Sequence, residues 1–286
     1  MANYKRHRGF YNRGDKIMGI KQEKTGLKIV SLDIETSGLS GKKYERNNSD
    51  LLEVGIVLYD VKEHKGKSFK QLDLDVPKIR IIVHRPTKYL QGNFYAFNMH
   101  KDTLMPLHQR LDVEERADIY DELESKAKQN ETIIICTPDE VIHKICFILF
   151  EHGWIDENEY QADKIKNALT VAGKNVSGFD IPYLRDYIKD FGRSIKMRTR
   201  VYDPTVIFAD DDMDRLPSLD ECLDMAREYN YDFPKGVVSH TAVEDAMDIV
   251  NLIHLQKQRG LQLKGKMKHT SVKKQDNSYG CANGKA

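Results

Sequence analysis

Short runs of β-branched and apolar residues alternate with more polar stretches between residues 27 and 258. Such runs are typical of strands when they span about three to ten residues and are bounded by polar or turn-forming residues. Strands are therefore predicted over 28–34, 51–59, 78–84, 169–172 and 200–202. The first three follow one another along the chain, which predicts an antiparallel meander.

Helices are predicted where apolar residues recur at helical spacing or where a capping pattern opens a segment. Thr241 and Glu244 form such a pattern, Thr-x-x-Glu, in which each side chain would bond the other residue's backbone N–H. The predicted helices cover 99–130 and about 181–191, and others begin at Thr137, Ser218 and Thr241. A meander followed by alternating strands and helices predicts an α/β fold whose mixed sheet combines the meander with parallel strands and is flanked by helices.

Charge divides the 286-residue chain into three parts, although the formal net charge is only +1. Residues 1–26 carry a net +5 and residues 259–286 a net +6, which leaves −10 on residues 27–258. We therefore predict one acidic domain between two basic tails. Basic tails can bind a phosphate backbone, but solvated, disordered ends explain them equally well.

Composition points to an ordinary cytoplasmic globular protein, with 40% hydrophobic and 31% charged residues. No apolar run approaches 18 residues, and the first residues lack the apolar segment of a secretory signal, so no membrane association is expected. The four cysteines have no ligand spacing, which predicts reduced thiols and no zinc site; they are Cys136, Cys146, Cys222 and Cys281.

Two carboxylates end the first predicted strand. Because side chains alternate along a strand, Asp33 and Glu35 share one face, about 7 Å apart. Such a pair at the edge of a sheet can bind a hard cation through oxygen, and Gly38 allows the backbone a sharp turn beside it. A polar strand end is the ordinary alternative. Asp112 and Glu114 have the same spacing, but they lie in a charged stretch and are interpreted as solvated surface.

Asp180 lies where a predicted strand and its loop meet a predicted helix. Asp at such a position is often only a helix cap. Strand ends and helix starts also converge where α/β sheets bind ligands, so Asp180 is equally a candidate site residue. Asn175 and Lys174 lie on the preceding loop, within reach of a phosphate group.

His240 and Asp245 frame the start of the last predicted helix. With Thr241 as the N-cap, His240 precedes the cap and Asp245 is the fourth helical residue, and side chains at these two positions meet. The spacing therefore brings a base and a carboxylate together at a helix N-terminus, which favours anions. A lone histidine would more often be structural.

Together these segments resemble the DnaQ-like, DEDDh family of 3′→5′ exonucleases, which have the ribonuclease H-like fold. The family pattern is Asp-x-Glu-Thr, an Asn-containing loop ending in Asp, and His-x4-Asp on a late helix. This chain has all three in that order over about residues 27–257: Asp33-Ile-Glu35-Thr36, Asn175-Val-Ser-Gly-Phe-Asp180 and His240-Thr-Ala-Val-Glu-Asp245.

The resemblance implies hydrolysis of nucleic-acid 3′ ends to nucleoside monophosphates with two Mg²⁺ or Mn²⁺ ions. Asp33, Glu35, Asp180 and Asp245 would hold the ions and His240 would accept a proton from water. Thr36, Gly38 and Leu39 would contact the terminal nucleotide, and Asn175 the substrate. That list of candidate residues is the full site predicted from sequence.

Departures from the pattern leave the substrate open. Asp180 lies five residues after Asn175, and Met99-His100 precedes a helix, as in the oligoribonuclease branch. An RNA-trimming enzyme and a catalytically silent nucleic-acid-binding module of the same fold are therefore alternatives. The aromatic residues of 89–97 could stack on bases, although packing is the favoured interpretation; they are Tyr89, Phe94, Tyr95 and Phe97.

Overall fold

A computed structural model describes residues 27–38, 49–162, 165, 169–192, 199–209, 213–234 and 241–259. Six strands form one sheet within these ranges. They are β1 (Lys28–Thr36), β2 (Leu51–Asp60), β3 (Lys78–Val83), β4 (Glu131–Cys136), β5 (Leu169–Ala172) and β6 (Thr199–Tyr202). The basic tails predicted at 1–26 and 259–286 lie outside the described residues, apart from Arg259.

The strands are arranged in the order β4-β3-β2-β1-β5-β6. β2 is antiparallel to both β1 and β3, and the other three neighbouring pairs are parallel. The predicted α/β fold class, a mixed sheet of an antiparallel meander plus parallel strands flanked by helices, is confirmed.

Nine α-helices accompany this sheet in the described ranges. They are α1 (Phe69–Asp75), α2 (Phe94–Met99), α3 (Leu104–Leu111), α4 (Arg116–Lys126), α5 (Val141–Glu151), α6 (Glu157–Gln161), α7 (Asp180–Asp190), α8 (Leu219–Tyr229) and α9 (Ala242–Gln258). No helix in this part of the chain is long and apolar enough to cross a membrane.

Helices cover both faces of the sheet because side chains of β1 alternate between them. Val30, Leu32 and Ile34 point into the larger core, which α5 and α7 complete. Ile29 points to the opposite face, where it packs with residues of α9. The side chains of β1 that follow Ile29 at every second position therefore lie under α9.

Four of these elements were not predicted: α1, α2, α6 and β4. α1 interrupts the meander between β2 and β3, and β4 adds a parallel strand beyond β3. A parallel neighbour requires a long crossover, and α2, α3 and α4 provide it. The helical structure predicted over 99–130 is present as α3 and α4, with turns before, between and after them.

Candidate metal centre

The carboxylates of Asp33 and Glu35 share the face of β1 that lies under α9. Across the antiparallel pair, Asp33 is opposite Gly55 and Glu35 is opposite Glu53. The register shifts after Glu35, so the strand pairing changes just beyond the two acids. The alternation predicted from sequence is thus confirmed.

Two residues of β2 fix the start of α9 against this face. Glu53 is fully buried, and its Oε1 accepts a hydrogen bond of 2.9 Å from the Ala242 backbone N–H. Arg80 neutralises Glu53 through a hydrogen bond and ion pair of 2.9 Å. A Cβ at Gly55 would lie 2.1 Å from the Ala242 carbonyl carbon and oxygen, so only glycine allows this approach. Asp245, one turn later, is thereby directed toward β1.

The capping box predicted at Thr241 does not form. Thr241 is the N-cap residue, but its hydroxyl donates to the Glu244 carboxylate at 3.0 Å and caps no backbone N–H. Glu53 accepts from the Ala242 N–H instead. The carboxylate of Glu53 on β2 therefore takes the place of the Thr241 hydroxyl as acceptor at the helix N-terminus, and this bond attaches α9 to β2.

The carboxylates of Asp33, Glu35 and Asp245 converge. One oxygen atom from each lies within 4.8 Å of the others. In the described part of the chain, Asp245 Oδ1 is buried and has no hydrogen-bond partner. Three hard oxygen donors, one of them buried without a partner, fit a divalent cation such as Mg²⁺ or Mn²⁺.

Burial and mutual repulsion make these carboxylates hold protons when no cation is present. Burial raises the pKa of Glu35 to about 9, and the charges of Asp245 and Glu53 add to it. Burial and the neighbouring Asp180 and Asp245 raise the pKa of Asp33 well above its usual range. The pKa of Asp245 rises to about 7, mainly through burial. A cation would remove this repulsion.

Asp180 lies beside the three converging carboxylates without belonging to that group. It is buried, and its Oδ1 accepts a hydrogen bond of 3.1 Å from the Ile34 backbone N–H. That bond holds Asp180 against β1 between the two strand acids. Burial raises its pKa to about 7. It is the first residue of α7 rather than its cap, because Phe179 occupies the N-cap position.

The other predicted site residues have mixed outcomes. Thr36 is buried, and its hydroxyl donates to the Gly38 carbonyl at 3.0 Å. Asn175 has a φ of 51°, and its backbone N–H donates to Asp203 Oδ2 at 2.9 Å. Leu39 and His240 lie outside the described residues.

Two residues beside the site were not predicted to take part in it. His100 is fully buried, with its Nε2 3.3 Å from Glu35 Oε2. Glu53 fixes α9, as described above. The sequence does contain a signal for Glu53, because it is a single charged residue in an otherwise apolar strand, and a buried charge is uncommon unless it is paired.

The aromatic residues of 89–97 do not pack together in the interior as favoured from sequence. Phe94 is 84% exposed, Tyr95 68% and Tyr89 55%. Phe97 alone is half-buried, against Gly92. The packing interpretation is therefore wrong for three of the four.

We expect the metal-free protein to lose stability as pH rises. Glu35, Asp180 and Asp245 have folded-state pKa values of about 9, 7 and 7, against ordinary values of 4.5, 3.8 and 3.8. Their stabilising contribution is complete below about pH 4 and is lost as pH rises through 7 and then 9. The unfolding free energy should fall by on the order of 6 kcal/mol between pH 6 and 9.

Urea unfolding in EDTA at pH 6, 7.5 and 9 measures this slope. The Glu35→Gln variant should lose most of this dependence of the unfolding free energy on pH. A stability that is constant or rises over this range in the wild type would contradict the proposed crowding of carboxylates.

Comparisons with known proteins address the fold. No protein-family model matches the sequence, and no curated protein matches it. A solved structure described as a full-length 3′-exonuclease is 13% identical, with a TM-score of 0.50, over 83% of this chain and 84% of that chain. Pop2p of S. pombe, in a Mg²⁺- and Mn²⁺-bound form, is 11% identical with a TM-score of 0.45, over 81% and 83%. At 13% identity, the likeness to the first establishes a shared fold.

Proposed function

We propose that the chain is a metal-dependent 3′→5′ exonuclease of the DEDDh type, which releases nucleoside monophosphates from nucleic-acid ends. The convergence of Asp33, Glu35 and Asp245 within 4.8 Å carries this proposal. Support also comes from the fold shared with a protein described as a 3′-exonuclease. The convergent residues are the ones that the family resemblance selects.

Divalent cations, Mg²⁺ or Mn²⁺, would be held by four carboxylates of the chain. Asp33, Glu35 and Asp245 would hold one ion, and Asp33 and Asp180 a second. When bound, the ions would supply Lewis-acid chemistry, neutralising charge on the phosphate and favouring attack by water. Because Asp180 Oδ1 accepts a hydrogen bond from the Ile34 N–H, the other carboxylate oxygen of Asp180 would bind the ion.

The remaining chemistry falls to residues that bind substrate or move a proton. His240 would accept the proton of the attacking water, because an imidazole with an ordinary pKa near 6.5 is partly neutral at physiological pH. Thr36, Gly38 and Leu39 would contact the terminal nucleotide, and Asn175 a phosphate. Glu53, through its bond to Ala242, would keep Asp245 in position.

The direct test is product analysis with end-labelled oligonucleotides in Mg²⁺. A 5′-labelled strand should give a ladder shortened one nucleotide at a time, while a 3′-labelled strand should release a labelled mononucleotide at once. EDTA should abolish both. DNA and RNA strands of graded length distinguish a general exonuclease from an RNA-trimming enzyme. Binding without any Mg²⁺- or Mn²⁺-dependent cleavage would instead indicate a catalytically silent module.

His240→Ala is expected to lower kcat by about 10²- to 10⁴-fold with little change in substrate affinity, because it would remove a general base. The wild-type rate should rise with pH as the imidazole loses its proton, and the variant should lack this rise. His143→Ala is a matched control, since His143 lies on α5 and belongs to no predicted site. An unchanged rate at pH 7 would remove His240 from this role.

A further inference from the structure

We propose that Tyr89, Phe94 and Tyr95, here called the aromatic platform, stack on the bases that precede the terminal nucleotide of a single-stranded 3′ end. This inference rests on the proposed exonuclease function and specifies its substrate as an unpaired strand several nucleotides long.

The segment before α2 is bonded directly to the end of β1. The Asn93 N–H donates to the Ser37 carbonyl at 3.0 Å, and the Ser37 hydroxyl donates to the Gln91 carbonyl. A Cβ at Gly92 would lie 2.1 Å from the Ser37 carbonyl oxygen, so the two backbones are in close contact. The segment is thus fixed beside the strand end that carries Glu35.

Asp50 adds a second attachment at the start of β2. Its carboxylate accepts hydrogen bonds of 2.7 Å from the Gln91 N–H and from Arg85. The Asp50 N–H in turn donates to the Ser37 hydroxyl at 2.7 Å. Tyr89 lies between these two anchoring residues, Arg85 and Gln91, and is therefore held in place rather than on a free loop.

The helix α2 is attached to the end of β1 at both of its ends. Asn93, its N-cap, is bonded to Ser37, and His100, which follows its last turn, lies 3.3 Å from Glu35. Six helical residues span only about 9 Å. Phe94 and Tyr95, in the first turn, are therefore within a few nucleotides' length of the converging carboxylates.

The outer surface of this helix has the chemistry that single strands bind. Phe94 and Tyr95 are exposed while Ala96 is buried, so the aromatic rings face solvent. Lys88 Nζ lies 4.8 Å from the centroid of the Tyr89 ring. Base–aromatic stacking combined with a cation near the phosphates is the usual way to bind single strands without sequence preference.

Bases in a duplex already stack on their neighbours and are paired, so the aromatic platform selects unpaired ends. A dinucleotide has only one base beyond the terminal nucleotide and can use the platform only in part. The structure therefore predicts that cleavage efficiency rises with length up to a few nucleotides.

The test compares kcat/KM for an octamer and a dinucleotide, as DNA and as RNA, in Mg²⁺. The Phe94→Ala/Tyr95→Ala double variant should reduce the octamer-to-dinucleotide ratio by at least about tenfold, since two stacking contacts are lost. Tyr231→Ala, which changes a tyrosine that is 100% exposed elsewhere, is the matched control. Both are surface changes, and circular dichroism verifies folding.

An octamer with abasic sites at the three positions before its 3′ nucleotide separates stacking from indirect effects. The wild type should lose its length advantage on this strand, and the double variant should show no further loss. Phe94→Trp with Tyr95→Phe should retain the ratio.

If the wild type cleaves both substrates but the double variant keeps the wild-type ratio, the aromatic platform is wrong and the proposed exonuclease function stands. If the wild type cleaves neither, the exonuclease function fails and the platform with it. If sedimentation shows a wild-type dimer that the double variant disrupts without changing the ratio, the surface binds a second copy of the chain instead.

Discussion

Asp33→Asn is expected to lower Mg²⁺-dependent nucleotide release by at least about 10³-fold, while the metal-free protein becomes more stable. Asp33 is the acid that both proposed ions would share, and loss of a shared ligand removes several kcal/mol of transition-state stabilisation. Burial, together with the neighbouring Asp180, Asp245 and Glu35, raises the pKa of Asp33 well above its usual range, so folding without a cation must protonate this carboxylate at a cost in free energy. Asparagine carries no such cost, so the melting temperature in EDTA should rise.

Nucleotide release and thermal unfolding of the same preparations measure the two effects together. Asp121→Asn, an exposed change on α4, is the control and should leave both unchanged. Full activity in Asp33→Asn would locate catalysis elsewhere or show a contaminating nuclease. A variant that is inactive but also less stable in EDTA would mean that Asp33 is mainly structural.

Gly55→Ala is expected to destabilise the protein by about 3 kcal/mol and to remove most activity. The added methyl group would lie 2.1 Å from the carbonyl carbon and oxygen of Ala242. Backbone atoms cannot relieve this clash by a change of rotamer, as a side chain can. Relief requires α9 to move away from β2. That movement would break the 2.9 Å bond from Ala242 to Glu53 and carry Asp245 away from Asp33 and Glu35.

Chemical denaturation and Mg²⁺ titration by calorimetry test this coupling between packing and cation binding. Gly66→Asn is the control: Gly66 has a φ of 79°, which asparagine tolerates, and no atom lies near its missing Cβ. It should change the unfolding free energy by less than about 1 kcal/mol. A Gly55→Ala protein with wild-type Mg²⁺ affinity would contradict the proposed role of this contact.

The parts of the site that sequence could predict are those set by local periodicity. Strand alternation placed Asp33 and Glu35 on one face, and this is confirmed. Helical counting from Thr241 made Asp245 the fourth residue of the last helix, which is also confirmed. The helical segment predicted to begin at Thr137 does begin there, with a capping box between Thr137 and Glu140.

The parts that sequence could not predict depend on contacts between distant residues. Glu53 and Ala242 are 189 positions apart, and only the folded chain brings them into contact. That contact overrides the local cap expected from Thr241 and Glu244. The 131–136 run was missed as a strand because a short apolar run between helices has no distinctive period. Its parallel partner, β3, becomes its neighbour only after a long crossover.

Exposure of the aromatic platform was misjudged for a related reason. Phe94 and Tyr95 follow Asn93, a good N-cap, but a helix of six residues has too few positions to show which face is apolar. The orientation of α2 is set instead by two hydrogen bonds: the Ser37 hydroxyl donates to the Gln91 carbonyl, and the Asn93 N–H donates to the Ser37 carbonyl. Ala96 is turned inward, and the two large rings are left on the surface.

Anomalous diffraction from crystals of the wild-type protein soaked in Mn²⁺ tests the central claim most directly. The account predicts a peak bounded by carboxylate oxygens of Asp33, Glu35 and Asp245, at metal–oxygen distances of about 2.1 Å, and no such peak in Asp33→Asn. Manganese bound only at other carboxylates, or equal occupancy in the variant, would show that these three acids do not form a metal centre.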